Sequence, residues 1–135
     1  MIGAVRRIGQ VVRHAPGLRT LDGLWNVLRP SYSKLMSRVG GRRGVPVKVG
    51  GQSIRLDPAF SSVAWESVEK RAYAAFAESV TPGDVVFDVG AHIGTYTLIA
   101  LNRSAPTGRV VAYEPQSSAR AFLEKHLCWN GGSDR

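Results

Sequence analysis

Apolar side chains recur at helical spacing early in the chain. Leu21, Leu24, Trp25 and Leu28 form one stripe, which Pro30 interrupts. Tyr32, Leu35, Met36 and Val39 fall at i, i+3, i+4 and i+7 and predict a second helix, stopped by Gly40-Gly41. The period then drops to two. Val45, Val47 and Val49 fall on one side at a period of two, with Ile54 and Leu56 beyond Gly50-Gly51, and this predicts a β-hairpin closed by Asp57-Pro58. Trp65, Val68, Ala72 and Phe76 predict a helix that runs up to the Thr81-Pro82-Gly83 turn. Val85 to Phe87 is an unbroken apolar burst suited to a strand buried on both faces. Thr95 to Asn102 predicts a helix, Val110-Val111-Ala112 a second strand, and Ala119, Phe122, Leu123 and Leu127 the core face of a last helix ended by Asn130-Gly131. Strand, helix, strand, helix from Val85 to Asn130 gives a right-handed crossover between parallel neighbours.

The chemistry lies in the turns of that crossover. A glycine-bearing turn after Val85-Val86-Phe87-Asp88-Val89 lets backbone approach a ligand without a Cβ in the way, and the next helix points its N-terminus at the same place. Glu114 ends the second strand 20 residues after Gly94, where a carboxylate can accept two hydrogen bonds from a ribose diol. A dinucleotide site needs G-x-G-x-x-G, but starting from Gly90 the second and third glycine positions hold His92 and Thr95. The looser D-x-G-x-x-x-G pattern, met by Asp88, Gly90 and Gly94, suits S-adenosylmethionine, which carries no phosphates. Asp88 is expected to order the glycine loop and to reach the methionine amine through water. Thr95 and Tyr96 would offer backbone N–H groups to the methionine carboxylate.

The stretch from Gly83 to Thr97, with Gly108 to Pro115 behind it, resembles the FkbM family of S-adenosylmethionine-dependent methyltransferases. The resemblance covers about residues 45 to 135 and includes Trp65-Glu66 and Asn130-Gly131. It implies an α/β fold, the N-terminal part of a Rossmann-like class I methyltransferase with a parallel sheet flanked by helices, preceded here by basic helices and a β-hairpin. It implies S-adenosyl-L-methionine as cofactor and O-methylation of a hydroxyl on a sugar, polyketide or other small metabolite. Asp88, Gly90, Ala91, His92, Gly94, Thr95 and Glu114 match the cofactor-binding segment, with His92 standing where the family commonly has Asn. Glu66 would approach the methionine end. The implied reaction is an in-line displacement at the methyl carbon by a substrate oxygen, in which holding the reactants collinear contributes up to about 7–11 kcal/mol. The base that takes the hydroxyl proton is expected from loops after later strands, and no catalytic residue is assigned.

Length changes the picture. A full domain of this kind needs roughly 200 residues, so the chain is expected to be the N-terminal portion of a methyltransferase. Three segments are expected: a basic helical segment over 1–44, a hairpin and helix over 45–80, and the first βαβα portion of the cofactor domain over 81–135. In that portion the first strand would lack one partner, which favours association or a loosely packed state.

The total charge of +8 conceals an asymmetry, because residues 1–55 hold 11 Lys or Arg against the single acid Asp22, while residues 56–135 hold seven against nine. Arg6-Arg7, Arg13, Arg19 and Arg42-Arg43 are interleaved with Ile2, Val5, Ile8 and Val12 at approximately helical spacing, which suits either a solvated helix packed on the rest of the domain or a helix with one cationic and one apolar face. That pattern allows weak contact with a membrane surface, and it leaves a nucleic-acid methyltransferase or basic nucleic-acid-binding module as an alternative. A non-catalytic remnant is a further alternative. Specific nucleic-acid recognition is not expected, because the basic segment lacks interleaved stacking aromatics. No window approaches the roughly 20 apolar residues that span a bilayer, and the single Cys128 forms no internal disulfide, so a cytoplasmic protein is expected. His126 and Cys128 fall short of a zinc site and read as helix surface or core.

Overall fold

A computed structural model of the chain describes residue 31 and residues 43–134. The two helical stripes before residue 40 and nearly all of the basic 1–44 segment lie outside the described residues. Residues 43–45 with Leu56–Ala64 belong to one compact unit, and Pro46–Arg55 with residues 65–134 to another.

The hairpin forms as its pattern dictates. Strands β1 (Val45–Val49) and β2 (Gln52–Leu56) pair in a two-stranded sheet, with Val45, Val47, Val49, Ile54 and Leu56 all buried. Gly50 and Gly51 both adopt positive φ (54° and 76°), the conformation a two-residue hairpin turn requires. In the first unit, Asp57 caps a short 3-10 helix, Pro58–Phe60, by accepting the Ala59 N–H at 2.9 Å.

The second unit continues through helix α1 (Lys70–Ser79), strand β3 (Val85–Val89), helix α2 (Thr95–Ser104), strand β4 (Arg109–Tyr113) and helix α3 (Ser117–Trp129). β3 and β4 pair in parallel with Val85 opposite Arg109 and Val89 opposite Tyr113, as a crossover through α2 requires. The fold is mixed α/β around this small parallel sheet.

Two expectations need correction. The helix before β3 starts later than its stripe suggests. Residues 65–69 form turns, Glu69 takes a left-handed conformation (φ 44°), and the buried positions of α1 are Tyr73 and Ala77, not Ala72. β3 is not buried on both faces. Val85, Phe87 and Val89 are 59%, 64% and 81% exposed and line up with exposed Val111 and Tyr113 on β4. The opposite face carries Val86, Asp88, Val110 and Ala112, which are all partly covered. Among the described residues the helices therefore cover one face of the parallel sheet and do not flank it.

The covered side is well built. α2 buries Thr95, Thr97, Leu98, Ile99, Ala100, Leu101 and Ser104. Tyr96 packs on Tyr73 and Phe76 of α1, with ring centroids 4.6 and 5.1 Å apart, which joins the two helices. α3 buries Ala119, Leu123 and His126 and leaves Cys128 exposed.

Candidate cofactor-binding site

Residues 90–94 run from the end of β3 into α2, and the end of β4, the residue after it and α3 hold their backbone. The Tyr113 carbonyl at the end of β4 accepts both the Gly90 N–H (2.8 Å) and the Ala91 N–H (3.0 Å). Glu114 follows directly and accepts the His92 N–H on Oε2 and the Gln116 N–H on Oε1, each at 2.7 Å. Gly94 N–H turns back to the Ala91 carbonyl at 2.8 Å. From α3, His126 Nδ1 contacts the Ile93 carbonyl at 2.7 Å.

Local conformation explains the residue types. Gly90 sits at φ +84°, and a Cβ built there meets nothing within 4 Å, so this side of the loop faces open space. Gly94 (φ +90°) is different: its Cβ would lie 2.6 Å from Leu123 Cδ1, so a side chain there would have to displace that methyl as well as adopt a left-handed backbone. His92 adopts φ 52°, a region where His and Asn are enriched among non-glycine residues. Its side chain is exposed, whereas Ala91 and Thr95 are buried.

Asp88 is partly buried at the end of β3, and its Oδ2 accepts the Thr97 hydroxyl at 2.5 Å, tying the strand to the first turn of α2. Thr95 Oγ1 pairs with the Tyr73 hydroxyl at 3.1 Å. The first amide of α2 to bond back along the helix is Leu98 N–H, to Gly94 O at 2.9 Å, so the N–H groups of Thr95 to Thr97 lie ahead of the helical ladder. The structure thus gathers Asp88, the 90–94 loop, Thr95 and Glu114 at one end of the sheet. Glu66 stays exposed in the turns before α1. The acid that meets α2 is Glu69, whose Oε2 accepts the Tyr96 hydroxyl at 3.1 Å, a contact with no signature in the spacing.

Electrostatics follow from these contacts. The backbone N–H groups of Gln116 and then His92 hold the Glu114 carboxyl below its ordinary value, because they bond the charged form. Burial, followed by the bond to Glu69, pushes the Tyr96 phenol up to about 12, and burial also raises Tyr73. Residues 88–97 contain no Lys or Arg. Arg120 of α3 donates to the Glu114 main-chain carbonyl at 3.3 Å and lies 3.8 Å from Glu124. No group of three metal-ligating side chains occurs among the described residues, and no described helix is long and apolar enough to cross a membrane.

No family model matches the chain. A segment of 46 residues is 50% identical to part of the AMB antimetabolite synthetase AmbE of Pseudomonas aeruginosa, covering 34% of this chain and 2% of that protein. A solved structure from Pyrococcus horikoshii, named as a candidate transferase, superposes over the whole chain with a TM-score of 0.51 at 17% identity. The chain spans 61% of that protein. At this identity the likeness shows a shared α/β fold.

Proposed function

We propose that the chain carries the cofactor-binding part of an S-adenosylmethionine-dependent methyltransferase of FkbM type, with a Rossmann-like class I fold. The acceptor is a hydroxyl of a sugar, polyketide or other small metabolite. One observation carries this reading: Glu114 stands beside the Gly90 loop across parallel strands, with its carboxylate fixed by the His92 amide of that loop and by the Gln116 amide.

The residues present fit the group. Each Glu114 oxygen already accepts one N–H, and a carboxylate offers about four acceptor sites, so capacity remains for two ribose hydroxyls. The open side of Gly90 leaves room for the adenosyl portion. The amides of Gly90, Ala91, His92 and Gly94 are engaged by protein acceptors, and no cation lies on residues 88–97. His92 and Thr95 stand where a dinucleotide loop needs its second and third glycines, which favours the methyl donor over a dinucleotide. When bound, S-adenosylmethionine supplies an activated methyl group on a sulfonium. Glu114 orients the sugar, the leading amides of α2 face the amino-acid carboxylate, and Asp88, tied by Thr97, keeps the loop end of β3 in place.

The Pyrococcus horikoshii neighbour supports the coarser class of transferase, and the antimetabolite product named for the Pseudomonas aeruginosa synthetase suits a small-metabolite acceptor. Calorimetric titration with S-adenosylhomocysteine and with NAD tests the reading. Binding of S-adenosylhomocysteine that Glu114→Ala abolishes is expected. Binding of NAD in its place, or of neither compound, would overturn the assignment.

A further inference from the structure

We infer that His126 is a positioning residue that presets the 90–94 loop for its ligand by holding the Ile93 carbonyl from behind. The inference rests on reading that loop as the cofactor loop. His126 is fully buried, and its Nδ1 lies 2.7 Å from Ile93 O. A carbonyl only accepts, so Nδ1 carries the proton and donates. The ring is held between Phe122 and Trp129, with centroids 6.1 and 5.8 Å away. One helical turn earlier on the same face, Leu123 packs against Gly94. α3 therefore grips two consecutive loop residues, one by a hydrogen bond and one by van der Waals contact. The amides of Gly90, Ala91 and His92 turn to Tyr113 and Glu114, and that of Gly94 turns back to Ala91. Among the described residues His126 belongs to no group of three metal-ligating side chains.

The test is amide hydrogen exchange on the full chain, which needs no ligand, paired with titration by S-adenosylhomocysteine. His126→Leu removes the donor at similar volume, and exchange at Ala91, His92 and Gly94 is expected to rise about tenfold while Ile99 to Leu101 in α2 keep their rates. His126→Asn sets an amide N–H near the place of Nδ1 and restores slow exchange, whereas His126→Gln sets it near the place of Nε2 and does not. This pair decides the matter if the leucine variant fails to fold. Equal loop exchange in the asparagine and glutamine variants, or loop and helix amides accelerating together, would overturn the role of His126. Absence of S-adenosylhomocysteine binding by the wild-type chain would instead overturn the cofactor assignment, and the exchange pattern still decides what His126 does.

Discussion

Glu114 and His92 are joined through a side chain on one part and a backbone on the other: the carboxylate accepts the His92 N–H at 2.7 Å and so holds a left-handed residue in place. The Glu114 pKa is depressed in the folded chain by the Gln116 and His92 amides. A depressed carboxyl contributes stability that is present above its unfolded pKa and disappears as pH falls through the folded one. The thermal midpoint of the wild type should therefore decline as pH falls below about 4.5. Glu114→Gln should show a weaker decline over the same range. Parallel pH profiles from melting curves would remove this linkage from the account.

The two glycines should respond differently. Gly90→Ala meets no neighbour, so its stability loss is the conformational strain alone, about 1–2 kcal/mol. Gly94→Ala adds a clash with Leu123 and should lose more. Adding Leu123→Ala relieves the clash but opens a core gap, so the double variant does not return to wild-type stability. Urea melts of the three variants give the order, and binding assays should show Gly90→Ala losing S-adenosylhomocysteine despite its milder effect on folding.

Asn130 is a structural anchor. Its side-chain amide accepts the Arg55 N–H and donates to the Arg55 carbonyl, each at 2.9 Å, and it also donates to the His126 carbonyl at 2.7 Å. Asn130→Ala is expected to lower stability by about 1–3 kcal/mol. Asn130→Asp should lower it further near neutral pH, because a carboxylate then confronts two carbonyl oxygens. Denaturant midpoints for the two variants test that order.

Tyr96 stays neutral to high pH. Its phenol is raised to about 12 by burial and then by Glu69. The stability this contributes is complete below pH 10 and lost as pH rises from there toward 12. Glu69→Gln removes the negative neighbour and should lower the Tyr96 titration midpoint, as followed by NMR of the ring carbons.

The uncovered sheet face should be adhesive. Val85, Phe87, Val89 and Tyr113 form a contiguous apolar strip, and such a strip favours self-association. Phe87→Ser with Val89→Thr is expected to reduce binding of a hydrophobic dye and to lower the association seen by sedimentation velocity, with β3–β4 pairing retained. Unchanged dye binding would place the adhesive surface elsewhere.

The crossover was legible in the chain because apolar bursts at Val85 and Val110 are bounded by glycine turns, and each fixes one strand. The meeting of Gly90 and Glu114 was legible for the same reason: each follows a strand, and parallel pairing puts strand ends together. The start of α1 was not, since Glu69 leaves helical geometry and shifts the buried face to Tyr73 and Ala77. The exposed face of β3 was also missed. An apolar residue reports that burial is favourable, and the covering layer must come from elsewhere. His126 lies seven residues after Ala119 and three after Leu123, so its place on the core face follows from spacing, but its bond to the Ile93 carbonyl does not. Glu69 and Thr97 act through contacts that only the folded chain creates.

Leu123 and His126 of α3, with Asn130 just past its end, make a ruler. They touch Gly94, Ile93 and Arg55 in turn, over a length of about 10 Å set by the rise of the helix. One inserted residue between Leu123 and Asn130 would swing the later marks by about 100° and detach either the hairpin or the loop. The turn that follows is held as well, since the Gly132 N–H bonds the Leu127 carbonyl at 2.9 Å, and the spacing from Leu123 to Asn130 is fixed by what it measures.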